Sequence, residues 1–166
     1  MAIKTIKIDK DNSIKIDSSI NWLLIYRGQF GRDILPDILP LISAGVDIAI
    51  NMLGESEGET VQEKIANMDS DKVESAMLSL AGLELTTFLQ IVWAMDANAR
   101  KKNGEDIMPF ENWVEKQEEF PIDLIAPTVA GLLTRSMVSS KNLKRLQDIV
   151  KMAKAGNATK SAQTES

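Results

Sequence analysis

Cysteine and histidine are both absent from the 166 residues. Without cysteine there is no disulfide framework, no thiolate metal site and no thiol nucleophile. Without histidine the chain lacks the commonest metal ligand and the side chain most used for proton transfer near neutral pH. Acid–base chemistry would fall to carboxylates alone, so the expectation is a protein that is not an enzyme and takes no cofactor or metal. Long apolar runs are missing too. The strongest, residues 34–53, is interrupted by Asp37, Asp47, Asn51 and two prolines, against the roughly 18–20 uninterrupted residues of a membrane span. The N-terminal MAIKTIKIDKDN is charged throughout and has no apolar core of signal-peptide length. These features lead to the expectation of a soluble, cytoplasmic protein without a membrane partner.

What is present is a globular composition, 44% hydrophobic and 26% charged, in a chain long enough for one domain with a real core. The net charge of −5 is unevenly placed. Residues 141–166 hold six basic and two acidic side chains, a balance of +4, which leaves −9 for the rest. An acidic body repels phosphate backbones, so nucleic acid is not expected as the main partner. The basic end has no aromatic side chain for base stacking and reads as a solvated amphipathic helix.

Ile6 and Ile8, then Ile14 and Ile16, alternate with polar residues around the turn-rich 9–13, which predicts a β-hairpin over 3–16. Asp9, Asp11 and Ser13 begin like a calcium loop, but Ile14 and Ile20 stand where glycine and glutamate are required. The remainder reads as helix. Asp17, Ser18 and Ser19 offer an N-cap to a segment holding Trp22, Leu23, Ile25 and Tyr26, with a turn expected near Gly28 and Gly31. After Pro36 and Pro40 a helical pattern resumes over 41–53, with a kink or restart at Pro40. The acidic, glycine-bearing stretch 54–60 is expected to be a loop. Asp71 and Glu74 resemble a capping box. Residues 83–100 form the clearest helix, with Leu85, Phe88, Leu89, Val92 and Ala99 on one stripe and Asn103-Gly104 as its stop. Pro109 opens the next helix, and either Pro121 or Pro127 opens another built on Ile125, Val129, Leu132 and Leu133. Ser139 or Ser140 caps a basic amphipathic helix over 140–154. The fold expected is mainly α: about five to seven helices and a short N-terminal hairpin in one domain, 1–154, followed by a disordered tail, 155–166.

Gly28-Gln29-Phe30-Gly31 has a G-x-x-G shape, but lacks the Lys-Ser/Thr of a phosphate loop and reads as a backbone turn. Glu111, Glu115, Glu118, Glu119 and Asp123 form an acidic ridge around Trp113 and Phe120. Paired carboxylates can hydrolyse glycosidic bonds, yet the helical spacing of the four glutamates predicts one exposed face. Trp93, in a strongly apolar helix, reads as core. Trp113, set among carboxylates, reads as the better interface candidate. The eight methionines suit either a plastic core, the use favoured here, or an adaptable helix-binding groove.

Three blocks then resemble a known family. Tyr26-Arg27-Gly28-Gln29-Phe30-Gly31-Arg32-Asp33-Ile34-Leu35-Pro36 resembles the Y-R-x-Q-F-G-x-D-I-L-P signature of tail assembly chaperones from long, non-contractile-tailed (siphovirus-type) phages and prophages of Gram-positive bacteria. Thr87-Phe88-Leu89-Gln90-Ile91-Val92-Trp93-Ala94-Met95, with Asn98-Ala99, resembles a second block. Pro109-Phe110-Glu111-Asn112-Trp113 and Glu118-Glu119-Phe120-Pro121-Ile122 resemble a third. The signature positions are thus Tyr26, Arg27, Gln29, Phe30, Gly31, Asp33 and Trp93, with no role for Gly28. The 54–69 stretch and the 141–154 helix match nothing family-wide. The resemblance implies a helper of tail morphogenesis that is absent from the finished virion. In the host cytoplasm it binds the tape measure protein, keeps it soluble and helps recruit major tail tube protein subunits. It also implies self-association, for which an open hairpin edge is a plausible contributor. Partner-binding residues are expected at Phe110, Trp113, Glu115, Glu118, Glu119 and Phe120. An acidic helical adaptor or regulator of another kind, and a carboxylate hydrolase, are the competing readings.

Overall fold

Alternation at the N-terminus becomes a two-stranded antiparallel sheet, β1 (Lys4–Lys7) and β2 (Ser13–Ile16), in the register Ile6↔Ile14 and Lys4↔Ile16. The Ile8 amide donates to the Asn12 carbonyl at 2.9 Å and closes the connection. The pleat sends Ile6, Ile14 and Ile16 into the core and leaves Thr5, Lys7 and Lys15 in solvent. A computed structural model describes residues 3–8, 10–39, 41–42, 45–46, 70–71, 74, 77, 83–139, 141–142, 145, 148–149 and 152. The protein is mainly helical with a short N-terminal hairpin.

Helix α1 (Trp22–Phe30) buries Trp22 and Tyr26, one turn apart. It runs through Gly28 and stops at Gly31, whose φ of 69° is the left-handed conformation that lets its amide reach the Arg27 carbonyl at 2.9 Å. Asp33 then accepts the Leu35 amide at 3.0 Å, which starts a new helical run. The backbone is helical at 35–39, 41–42 and 45–46, with Pro36 in the first turn. Pro40, and with it the expected kink, lies outside the described residues, as do the 54–60 loop and the 155–166 tail. Residues 70, 71, 74 and 77 are helical, so that helix is already under way at Asp71 rather than capped by it.

Helix α2 (Leu85–Lys102) is two residues later at each end than its pattern suggested. Its burial is also broader than one stripe: every residue from 91 to 99 is buried, while Leu85 is exposed. Arg100, Lys101 and Lys102 occupy the last turn, where the helix dipole favours cations, and Gly104 (φ 72°) turns the chain away. Helix α3 (Phe110–Lys116) follows Pro109, and α4 (Ile122–Met137) follows Pro121. Pro127 lies inside α4, where Thr128 Oγ1 donates to the Leu124 carbonyl at 2.9 Å. Ser139 accepts the Asn142 amide at 3.4 Å, and the described positions 141, 142, 145, 148, 149 and 152 are helical.

Asp17, Ser18 and Ser19 do not cap α1, which has no side-chain cap bond. They fasten the hairpin to the helices instead. The Asp17 amide donates to the Met95 carbonyl at 3.1 Å, and the Ser18 and Ser136 hydroxyls share a bond at 2.8 Å. Fully buried Asn98 donates to the carbonyls of Asp17 and Ser19 and to Ser19 Oγ, each at 3.2 Å, and accepts from Asn21. Lys102 Nζ sits 2.6 Å from Asp17 Oδ2 and donates to Ser19 Oγ at 2.8 Å. Desolvation pushes the Asp17 carboxyl upward, but Lys102 and the Ser19 hydroxyl and amide outweigh it and hold the carboxyl below its usual value. Its stabilising contribution is therefore complete above the ordinary aspartate value of 3.8 and is lost as pH falls through the lowered folded value. Asp17→Asn is expected to cost on the order of 1–2 kcal/mol at pH 7, and progressively less in acid. Urea unfolding of both chains at neutral and strongly acidic pH checks this.

The 35–46 segment crosses α4 at Gly45. A Cβ there would lie 2.1 Å from the Ala130 carbonyl oxygen and 2.5 Å from Thr134 Oγ1, so only glycine permits the approach. Thr134 Oγ1 is 3.0 Å from the Ile42 carbonyl and 2.8 Å from that of Ala130, bridging the two elements. Gly45→Ala is expected to destabilise by about 1–3 kcal/mol through overpacking, read as a lower Tm.

Candidate functional site

The first signature block is a helix–turn–helix joint whose parts have separate physical jobs. Tyr26 donates its hydroxyl to Gln90 Oε1 at 3.0 Å and accepts from Arg32 at 2.8 Å. Burial raises the Tyr26 phenol above its usual value, against the lowering pull of Arg32. Arg32 also donates to Thr87 Oγ1 at 3.1 Å and reaches Asp37 at 3.4 Å. The turn is thereby tied to the first two turns of α2. Phe30 inserts between Trp93, at a centroid distance of 5.5 Å, and Phe110, at 5.3 Å, both edge-to-face. Trp93 is buried as expected and donates its indole N–H to the Met108 carbonyl at 2.8 Å. Gly31 and Asp33 shape the turn. Arg27 and Gln29 are exposed.

The third block is arranged differently from its sequence reading. Trp113 is 2% exposed, so it is a core residue and not an open docking side chain. Its ring meets Phe120 at 6.3 Å, Phe120 meets Phe88 at 6.2 Å, and the indole donates to Asp96. This short helix carries its two rings, Phe110 and Trp113, three residues apart on one face, and both turn toward the apolar floor of α2. Phe110 and Phe120 are half-buried in the same aromatic layer. The glutamates do not share one helix face, because α3 ends at Lys116. Glu111 and Glu115 are exposed on the helix, and Glu118 and Glu119 are exposed beyond it.

Two cavities adjoin this segment. One of about 410 Å³ is lined by Ile8, Asn12, Ser13, Arg100, Lys116, Gln117, Glu118 and Glu119. The other, about 180 Å³, shares Ser13 and Arg100 and reaches Asp96 and Glu105. Burial raises the Asp96 carboxyl above its usual value, with Arg100 and the Trp113 indole pulling the other way. Arg100 Nε lies 2.8 Å from Asp96 and its NH1 3.9 Å from Glu105. The cavity therefore holds an arginine-bound carboxylate rather than two free acids facing each other. Among the described residues no cluster of three or more acids is placed to hold a metal, and no helix is long and apolar enough to cross a membrane.

Reading the sequence missed the polar groups on α2 that organise the core: Thr87, Asp96 and Asn98. Their signal was polarity inside an otherwise apolar helix. It also missed four outward apolar side chains, Ile20, Leu24, Leu35 and Leu39. No family model, curated protein or solved structure matches the chain.

Trp113→Ala is expected to lose about 3–5 kcal/mol of stability, as buried aromatic truncations do. Glu115→Lys with Glu118→Lys should stay within about 0.5 kcal/mol of the parent. Chemical denaturation of the two variants separates the structural residue from the surface ones.

Proposed function

We propose that this protein is a phage tail assembly chaperone. In this reading it binds the tape measure protein, keeps it from aggregating and helps bring tail tube subunits to it in the host cytoplasm, without entering the finished particle. The observation that carries the reading is the order and mutual contact of the three sequence blocks. Phe30 of the first touches Trp93 of the second and Phe110 of the third, and Tyr26 of the first bonds Gln90 of the second. Motifs that form one packed joint belong to one structural unit, which strengthens a resemblance built from scattered blocks.

The chemistry at hand supports binding more than catalysis. The one strongly buried carboxylate of α2's last turns is held by Arg100 and Trp113, and the remaining acids of the third block are exposed. Exposed carboxylates frame apolar surface and keep a helix-binding protein from associating indiscriminately.

The reading requires a very long, helix-rich protein encoded immediately downstream, and it is tested by producing that protein alone and together with this chain. Co-production is expected to move that protein from the pellet to the supernatant in a complex with this chain. Equal insolubility in both cultures would sink the proposal.

A further inference from the structure

Gly28 is a glycine that the fold does not call for. It lies inside α1, its φ is not positive, and a Cβ built on it would meet nothing within 4 Å. Glycine in a helix interior costs stability relative to alanine, so a side chain here would serve the isolated chain better. The position is exposed and faces outward. Opposite the buried Trp22 and Tyr26, this outward face of α1 and the turn before it consists of Ile20, Asn21, Leu24, Arg27, Gly28 and Gly31. Ile20 and Leu24 are 70% and 69% exposed. The face is thus large and apolar in its first half and bare backbone in its second. Its one charge is Arg27, and residues 18–32 hold no carboxylate, in a chain of net charge −5. The nearest acids in sequence are Asp17, buried against Lys102, and Asp33, exposed past the turn.

We propose that α1 is a contact between two copies of this chain, packed antiparallel about a two-fold axis that passes by Leu24. Antiparallel helices set residues of constant index sum opposite one another. With Leu24 against Leu24 of the second copy, Ile20 falls opposite Gly28 and Asn21 opposite Arg27. The large half of each face then lies over the bare half of the other, where glycine lets the backbones approach closely. Each guanidinium meets an amide side chain, and the two Arg27 stand about 9 Å apart along the axis. Charge favours the same occupant. Two acidic chains repel each other, and a contact that brings no carboxylate against another adds least to that repulsion. The hairpin edge, the contributor expected for self-association, carries Lys4 and Lys7, which oppose strand pairing. The inference is independent of the tail-assembly reading, which requires no particular contact between copies. One short helix on each side is a small contact, so a dissociation constant on the order of 10–100 μM is expected.

The full-length chain is followed by sedimentation equilibrium from about 5 to 500 μM, a range that brackets such a constant. A monomer–dimer equilibrium is expected, and Leu24→Gln should weaken it about tenfold or more. Gly28→Leu should weaken it as much while raising the Tm of the dilute chain, because leucine is the better helix former. Adding Ile20→Ala to Gly28→Leu restores a large-against-small fit with the order reversed, and should recover most of the affinity. The chain has no cysteine, so single cysteines report the register. Under copper phenanthroline in air, Leu24→Cys should form a disulfide-linked dimer well before Thr5→Cys on β1 or Leu39→Cys, two other exposed positions. The inference is overturned if the parent stays monomeric throughout, or if Leu24→Gln or Gly28→Leu dimerises like the parent. It is also overturned if the double variant recovers nothing, or if Gly28→Leu lowers the Tm, since the fold then needs the glycine. Cross-linking of Thr5→Cys or Leu39→Cys as fast as Leu24→Cys overturns it too, and places the contact at the hairpin edge or beyond the turn.

Discussion

Helix α2 is buried on all sides over residues 91–99, and the rest of the described fold follows from having to enclose it. A helix apolar all round cannot rest on a single neighbour. It also carries polar groups that would be costly to bury unpaired, and each of these addresses a different surrounding element. Thr87 and Gln90 take the turn after α1 through Arg32 and Tyr26. Trp93 takes the carbonyl of Met108, ahead of α3. Asp96 takes Trp113 of α3, and Asn98 takes the link between the hairpin and α1. Apolar burial supplies the stability, about 25 cal/mol for each Å² removed from water. The polar groups select which element lies where, because a misplaced neighbour would leave a donor or acceptor unsatisfied.

This division explains what could be read in the sequence. The hairpin was legible because strict alternation has one structural meaning when half the side chains are isoleucine. The starts and stops of α2, α3 and α4 were legible from Pro109, Pro121 and Asn103-Gly104, which act through local backbone chemistry. The link at 17–21 was not. Asp17 and Ser19 have the composition of an N-cap, and local propensity alone would use them so. In the folded chain Asn98 and Lys102, about eighty residues away, compete for the same oxygens and win. Only tertiary contact carries that information.

Trp113 shows the same limit from the other side. Four neighbouring glutamates made it look like a surface ring, since charge pattern reports the solvent face of a helix and says nothing of how short that helix is. In seven residues the inward face is Phe110, Trp113 and Val114, and the largest ring is the one fully buried. The glutamates then mark what remains outside. Pro127 was ambiguous for a related reason. Proline suits a first turn, and inside α4 it removes the bond to the Asp123 carbonyl four residues earlier, while the adjacent Thr128 hydroxyl bonds the Leu124 carbonyl.

The joint at 31–34 brings fold and proposed function together. Its inner side is fixed by a hydrogen-bonded Tyr26–Arg32–Gln90 network and by Phe30 within the aromatic layer. An apolar side chain on the outer side of such a joint is held by a rigid support, so covering it with a partner orders little that is not already ordered. Association is opposed chiefly by the freedom lost on binding, and a preorganised pair of helices reduces that loss on one side of the complex. Arg32 contributes to this rigidity from beneath, while Arg27, one turn earlier and without a partner among the described residues, stays available above. Two arginines five residues apart thus have different places in the fold: Arg32 fixes the turn, and Arg27 lies exposed on the helix before it.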